Sequence, residues 1–166
     1  LRSPQIKDAS YQYDVSSFGR GVSRGGDFDD DGNPDLVVLA QRESRPGNLW
    51  ADYQVGPGGV TTCGGGLGAA GAVYIYSSTA EGLLSEFPTF TYYGTQKWQS
   101  MHGLLGDLDI NGDGKSDVMA SSLNWDFMGR NNVGGVAILF GRAAWDAEKI
   151  NVICNEDVML HGAIAG

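Results

Sequence analysis

Short apolar segments separated by glycine-rich or acidic turns recur along the whole chain. The β-branched run at residues 36–40 is too short for a helix and predicts a buried strand. Further strands are predicted over residues 71–76 and 88–93. No stretch keeps the 3.6-residue period of a long helix, and no apolar run approaches the length of a membrane span. The pattern therefore predicts an all-β fold built from many short strands.

The order of these segments repeats in the second half of the chain. The equivalent residues Asp31 and Asp113 are 82 positions apart, and removing an excess of 19 residues from the first copy leaves a period of 63. We expect one domain with the following parts: repeat 1 at about 14–93 with an insertion at 42–66, repeat 2 at about 97–160, and the start of a third repeat at 161–166. Segments 151–154 and 158–160 are predicted to close repeat 2.

Each repeat carries an acidic loop directly before its buried strand. The loop at 27–35 has carboxylates at positions 1, 3, 5 and 9 and Gly32 at position 6, and the loop at 109–117 repeats this spacing with Asn111 at position 3. Carboxylates this close repel one another unless a cation neutralises them, and oxygen-only ligands in this number favour calcium. Position 12 is Val38 or Ala120 instead of the bidentate Glu of an EF-hand. A solvated acidic turn is the alternative interpretation.

Composition and charge narrow the class of protein. The 166 residues suffice for one domain with a core, and 26 glycines favour turns between many strands. The formal net charge is −9, and nine of the twenty acidic residues lie in the two loop regions, which argues against nucleic-acid binding. The chain opens without an initiator Met or a signal peptide, so we expect a piece of a longer protein or a processed product.

The cysteines are Cys63 and Cys154, without the Cys-x-x-Cys spacing of zinc or redox sites. A calcium protein outside the cell could keep a disulfide. A Cys63–Cys154 bridge and two buried free thiols both stay open at this point.

Together these features resemble the FG-GAP repeat of integrin α-chain β-propellers and related secreted proteins. The resemblance covers nearly the whole chain outside 42–66 and departs from the family where Gly-Ala-Pro is replaced after the second strand and where Phe-Gly is replaced by Trp98-Gln99. The matching residues are Phe18-Gly19, Gly26-Asp27-Phe28, the loop 27–35 with Leu36-Val37-Val38, the segment 71–76, Gly106-Asp107-Leu108, the loop 109–117 with Val118, and Gly134-Gly135-Val136.

The resemblance implies that each repeat is a four-stranded antiparallel propeller blade, with one calcium ion bound between its first two strands. Two such blades would form part of a larger propeller, completed by further blades of the same protein, by copies of itself or by another chain. The implied calcium ligands are the side chains of Asp27, Asp29, Asp31 and Asp35 with the Asn33 carbonyl, and those of Asp109, Asn111, Asp113 and Asp117 with the Lys115 carbonyl.

The function that follows is a calcium-binding, extracellular or cell-surface module for adhesion or protein binding, without catalysis. An accessory propeller domain of a secreted hydrolase is one alternative. The other is a propeller lectin in which Trp98, Trp125 and Trp145 stack against sugars, although core packing is the favoured role for these residues. The expected ligand is a protein or glycan, and neither nucleic-acid binding nor membrane insertion is expected.

Overall fold

The computed structural model describes residues 16–45, 53–55, 66–144, 150–153 and 156–162. These ranges form ten strands and contain no helix, hence none that could cross a bilayer. The strands are β1 (Phe18–Gly26), β2 (Asp35–Ala40), β3 (Tyr53–Val55), β4 (Ala72–Tyr76), β5 (Phe90–Tyr93), β6 (Met101–Leu108), β7 (Asp117–Ser122), β8 (Gly135–Leu139), β9 (Ile150–Ile153) and β10 (Val158–His161). The predicted all-β class is confirmed.

The strands form two sheets. The first sheet has the order β1-β2-β4-β5-β9-β3, and the second sheet has the order β10-β8-β7-β6. Each contains an antiparallel meander of four strands, which is β1-β2-β4-β5 in the first sheet and β6-β7-β8-β10 in the second. Within each meander, every strand pairs with the meander strand that follows it along the chain, with β3 and β9 inserted between members.

Strand register shows that the two meanders are copies of one unit. The β6–β7 pairing repeats the β1–β2 pairing 82 positions later, including the bulge before the acidic loop. The third strand is repeated 63 positions later, so the 19-residue excess lies between β2 and β4, as predicted. Examples of equivalent pairs are Ser23–Val37 with Leu105–Met119, and Leu36–Tyr76 with Val118–Leu139.

Strand β9 corrects one sequence-based expectation. Segments 151–154 and 158–160 were both expected to close repeat 2, but only β10 does so. Strand β9 crosses to the first sheet and pairs in parallel with β5, where the main chain and side chain of Asn151 both donate to the Thr89 carbonyl, at 2.8 and 3.0 Å. Parallel pairing between distant segments leaves no periodic pattern in the sequence. Val152 and Ile153 are apolar and would suit either sheet, so the sequence does not indicate which sheet β9 joins.

The insertion at 42–66, expected to be a surface loop, contributes one strand. Residues 53–55 form β3, which pairs in parallel with β9 at the edge of the first sheet. The bridge between Arg45 and Leu67 closes the base of this insertion. Cys63 and Cys154 lie outside the described residues, so their pairing stays a prediction.

One apolar cluster joins the two sheets, and a second lies on the opposite face of the first sheet. The first sheet contributes one face of β2, β4 and β5, and the second contributes one face of β7 and β8. The buried members are Val37, Leu39, Val73, Ile75, Phe90, Tyr92, Val118, Ala120, Ala137 and Leu139. Burial of this many apolar side chains is the main favourable term holding one repeat on the other.

Glycine allows the first strands of the two sheets to approach closely. A Cβ on Gly106 of β6 would lie 2.3 Å from the Arg24 carbonyl oxygen of β1, and the Gly106 N–H donates to Ser23 Oγ at 3.2 Å. Backbone at this distance leaves no room for a side chain. The contact therefore sets the spacing between β1 and β6.

We predict that Gly106→Ala lowers the free energy of unfolding by about 1–3 kcal/mol, because the added methyl group must push two backbones apart. Gly68→Ala is the matched control, since its Cβ would meet only Lys97 Cε at 3.9 Å. The control should stay within about 0.5 kcal/mol of the parent chain. Chemical denaturation measures both, and equal midpoints for the two variants would contradict this account of the sheet spacing.

Candidate metal centre

The first acidic loop connects β1 to β2 and folds around its own carboxylates. Asp27 accepts the main-chain N–H groups of Asp31 and Gly32, each at 3.0 Å, one on each carboxylate oxygen. Asp31 in turn accepts the N–H of Asn33 at 2.8 Å. Gly32 sits at φ +87°, a conformation that glycine adopts without strain. Side-chain acceptors thus replace the backbone partners that a tight turn cannot supply.

Three carboxylates of this loop converge on one point. Oxygens of Asp27, Asp29 and Asp35 all lie within 4.8 Å of one another. Asp35 is 5% exposed, and its Oδ2 accepts the N–H of Phe28 at 2.9 Å. Asp29 Oδ2 accepts the hydroxyl of Ser77. The other oxygens of Asp29 and Asp35 are buried and have no hydrogen-bond partner.

The electrostatics of the triad are unfavourable for the bare carboxylates. Burial, reinforced by the neighbouring charge of Asp29, raises the pKa of Asp35 from 3.8 to about 7. Burial also raises the pKa of Asp29, and the charges of Asp31 and Asp27 add to the effect. A carboxylate buried without a donor is costly unless a proton or a cation compensates it. The arrangement fits a bound cation, since an oxygen of each of the three carboxylates lies within 4.8 Å of the others.

The second acidic loop, between β6 and β7, has the same hydrogen-bonding pattern. Asp109 accepts the N–H groups of Asp113 and Gly114, as Asp27 does those of Asp31 and Gly32. Asp113 accepts the N–H of Lys115 at 2.9 Å, which lowers the pKa of Asp113, and Asp117 accepts that of Ile110 at 2.7 Å. Four hydrogen bonds therefore recur at equivalent atoms.

The two loops differ in how completely their carboxylates are satisfied. Asp117 is fully buried, but its second oxygen accepts the N–H of Gly141 at 2.9 Å. Asn111 stands where the first loop has the position-3 carboxylate of Asp29, and its amide donates to Asp113 at 3.0 Å. Within the described part of the chain, the Asp27, Asp29 and Asp35 triad is the group of acidic side chains compact enough to hold an ion. The second loop has no such convergence.

Two serines at the end of β4 support the first loop, and the sequence did not indicate them. Ser77 donates to Asp29, and Ser78 Oγ donates to the Pro34 carbonyl at 2.7 Å. They lie more than 40 positions from the loop, outside any motif. In the second repeat the position equivalent to Ser77 is Phe140, which cannot make this contact through its side chain. The meander places β4 beside β2, which is what brings these hydroxyls to the loop.

The other sequence-derived candidates are distributed as follows. Asp31 lies outside the triad, since its oxygen caps Asn33. Trp125 is 4% exposed, which agrees with core packing, whereas Trp98 is 61% exposed and Trp145 lies outside the described residues. Trp125 is therefore too buried to take part in a sugar-stacking platform of all three tryptophans.

No family model matches the chain. The likeness to FG-GAP repeats accordingly rests on the residues named above.

We predict that Asp35→Asn stabilises the metal-free protein by roughly 1–3 kcal/mol at pH 7.5, because it removes a buried charge and offers an N–H to its neighbours. Asp117→Asn is the matched control at the equivalent position. Both Asp117 oxygens already accept N–H groups, so its amide loses an acceptor and should destabilise by about 1–3 kcal/mol. Thermal and urea unfolding in chelator distinguish them, and destabilisation by both substitutions would be evidence against a strained triad.

Proposed function

We propose that this chain is a calcium-binding, extracellular segment of a β-propeller that binds another protein and performs no catalysis. The observation that carries the proposal is the convergence of the Asp27, Asp29 and Asp35 carboxylates, together with one buried, unpaired oxygen on each of Asp29 and Asp35. The main-chain groups of Asp31 and Ser78 lower the pKa values of Asp29 and Asp35, but neither reaches hydrogen-bonding geometry at these two atoms. A divalent cation would offset the burial and the repulsion that together raise the pKa of Asp35.

Calcium is the ion that suits this loop best. Calcium accepts six to eight oxygen ligands in flexible geometry, whereas magnesium demands a near-ideal octahedron. The side chains of Asp27, Asp29, Asp31 and Asp35 with the Asn33 carbonyl would supply the protein ligands of the first site. The second site would use Asp109, Asn111, Asp113 and Asp117 with the Lys115 carbonyl. With one carboxylate fewer, we expect the second site to be the weaker.

The location proposed for the protein follows from the role of the ion. Calcium sites of extracellular modules bind in the range of about 0.1–1 mM, where the ion serves mainly to rigidify the structure. Without calcium, the carboxylates of each loop repel one another. The loops would therefore be ordered outside the cell and less ordered where calcium is scarce.

The propeller architecture is supported by the equivalence of sheet faces. The outer face of the second sheet is the one opposite the core, and it carries Leu105, Met119, Val136, Ile138, Val158 and Leu160. In the first sheet, the positions equivalent to Met119, Val136 and Ile138 are Val37, Val73 and Ile75, which are completely buried against the second sheet.

The same packing could continue at the outer face. Leu105 and Leu160 at its edges are 49% and 53% exposed. Because this face is buried in one repeat and apolar in the next, another sheet of the same kind would bury it in the same way. Repeated addition with a constant rotation generates a propeller, which protects its strand edges by closing.

A protein ligand is favoured by the loops at the sheet ends opposite the acidic loops. Trp98 and Met128 are 61% and 78% exposed, and both have positive φ, at 63° and 50°. Gln96 ties their loops together by a pair of hydrogen bonds to the main chain of Asp126. Exposed aromatic and methionine side chains on fixed loops are typical of protein interfaces.

Calcium should bind with a stoichiometry of two and raise the thermal midpoint. Each site should add about 2.7 kcal/mol of stability at a hundredfold excess over its dissociation constant. Asp31→Ala and Asp113→Ala should each remove one ion, whereas Asp126→Asn, an exposed acid of another loop, should remove none. Isothermal titration calorimetry gives the stoichiometry, and an absence of binding at millimolar calcium would refute the proposal.

The outer face should make the 166-residue chain self-associate and bind a hydrophobic dye when it stands alone. Leu105→Glu combined with Leu160→Glu should reduce both effects, because charge disfavours burial of that face. Leu83→Glu is the control, since Leu83 is 66% exposed but lies on the hairpin between β4 and β5. Light scattering that shows a monodisperse monomer without dye binding in the parent chain would contradict the propeller proposal.

A further inference from the structure

We infer that the two acidic loops bind their cations as one coupled unit, in which Ser116 and Lys115 of the second loop position the first. The inference rests on the proposed calcium function, whose first site has the buried, unpaired Asp35 oxygen as its independent support. It concerns residues that are not themselves side-chain ligands in that proposal. The contacts between the loops carry it.

Ser116 holds both main-chain groups of Asp27. The Ser116 N–H donates to the Asp27 carbonyl at 3.0 Å, and the Asp27 N–H donates to Ser116 Oγ at 3.1 Å. The side chain of Asp27 meanwhile caps the N–H groups of Asp31 and Gly32. Ser116 thus fixes the residue around which the first loop is built.

Gly26, which precedes Asp27, has no side chain and so makes room for Ser116. Gly26 sits at φ +61°, and a Cβ there would lie 2.0 Å from Ser116 Oγ. A glycine at this position lets the hydroxyl reach the N–H of Asp27. Close approach of one loop to the other is therefore built into both sequences.

Lys115 makes a second connection. Its ammonium group lies 3.0 Å from the Asp30 carboxylate of the first loop, while its carbonyl is the proposed ligand of the second ion. An ion that draws on the Lys115 carbonyl therefore acts on a residue whose side chain sits on the other site. The positive charge also reduces the repulsion within the first loop before any cation binds.

A third connection runs through the residues after β8. Gly141 N–H donates to Asp117, the last proposed ligand of the second site, at 2.9 Å. The next residue, Arg142, donates its N–H to the Phe28 carbonyl of the first loop at 2.7 Å. Consecutive peptide groups thus bridge the two loops. Each loop supplies groups that hold the other in place.

The sign of the coupling follows from these bridges. Binding at one site orders its loop, and the ordered loop presents Ser116, Lys115 or Phe28 in fixed positions to the other. The second ion then meets a loop that has already lost part of its conformational freedom, so the coupling is positive. Linkage requires the same factor in both directions.

The test measures calcium affinity at each site by isothermal titration calorimetry, with the other site removed. Relative to the parent chain, disabling the second site by Asp113→Ala should weaken the first about fivefold or more, and Asp31→Ala should weaken the second by the same factor. Ser116→Ala should bring this factor close to one. Its control is Ser85→Ala, whose hydroxyl donates to Phe87 on an exposed turn, and which should leave the factor unchanged.

Lys115→Gln provides a variant with less risk to the fold. The positive charge of Lys115 repels a cation that approaches the first site. Its removal should tighten the first site about two- to fivefold at low salt, and the gain should shrink as salt is added. Lys97→Gln, which lies over the Trp98 ring, is its control and should change nothing. Circular dichroism establishes that each variant keeps its strand content.

The outcomes separate the two ideas. Two ions that bind with the same constants in the parent chain and in the single-site variants would overturn the coupling and leave the calcium function standing. An unchanged coupling factor in a folded Ser116→Ala protein would overturn the role of Ser116. No calcium binding in the parent chain would overturn both.

Discussion

Mutual repulsion among closely spaced carboxylates is the constraint on which this structure depends. Asp27, Asp29 and Asp35 meet at the junction of β1 and β2, and Asp35 cannot turn away because its position in the strand buries it. Hydrogen bonds from the loop satisfy part of the charge, and two oxygens are left over. A cation would compensate these oxygens, so the proposed metal binding would depend on the pairing of β1 with β2.

The same unit occurs twice, and the two copies differ in the acidic loop more than in the sheet. The register of the paired strands and four hydrogen bonds of the loop are retained. The second loop has Asn111 in place of the carboxylate at position 3 and gives both Asp117 oxygens a main-chain donor. Backbone geometry tolerates few changes because each strand is fixed by two neighbours, whereas loop ligands can be exchanged one at a time.

Connections between the copies make the pair more than two units placed side by side. The shared core and the close approach at Gly106 join them at the middle. The crossing of β9 to the first sheet joins them at the outer edge. At the remaining end, Ser116 and Lys115 link the acidic loops. The positions of the proposed metal ligands in one copy thus depend on the folding of the other.

The sequence by itself determined the local features. The alternation of apolar runs and turns predicted the all-β class, the 63-residue period matched the register of β4 and β8, and the spacing of Asp27, Asp29 and Asp35 marked the residues that converge. These are properties of neighbouring residues, so a linear pattern can encode them.

The tertiary structure alone decided what depends on distant segments meeting. It moved β9 to the first sheet, brought Ser77 to Asp29 and set Lys115 on Asp30. It also gave the Gly141 N–H hydrogen-bonding geometry to Asp117, whereas the Ser78 main chain at the equivalent position leaves one Asp35 oxygen unpaired. Each of these contacts joins residues that are far apart in the chain, and packing of whole sheets fixes them, so no spacing in the sequence could indicate them.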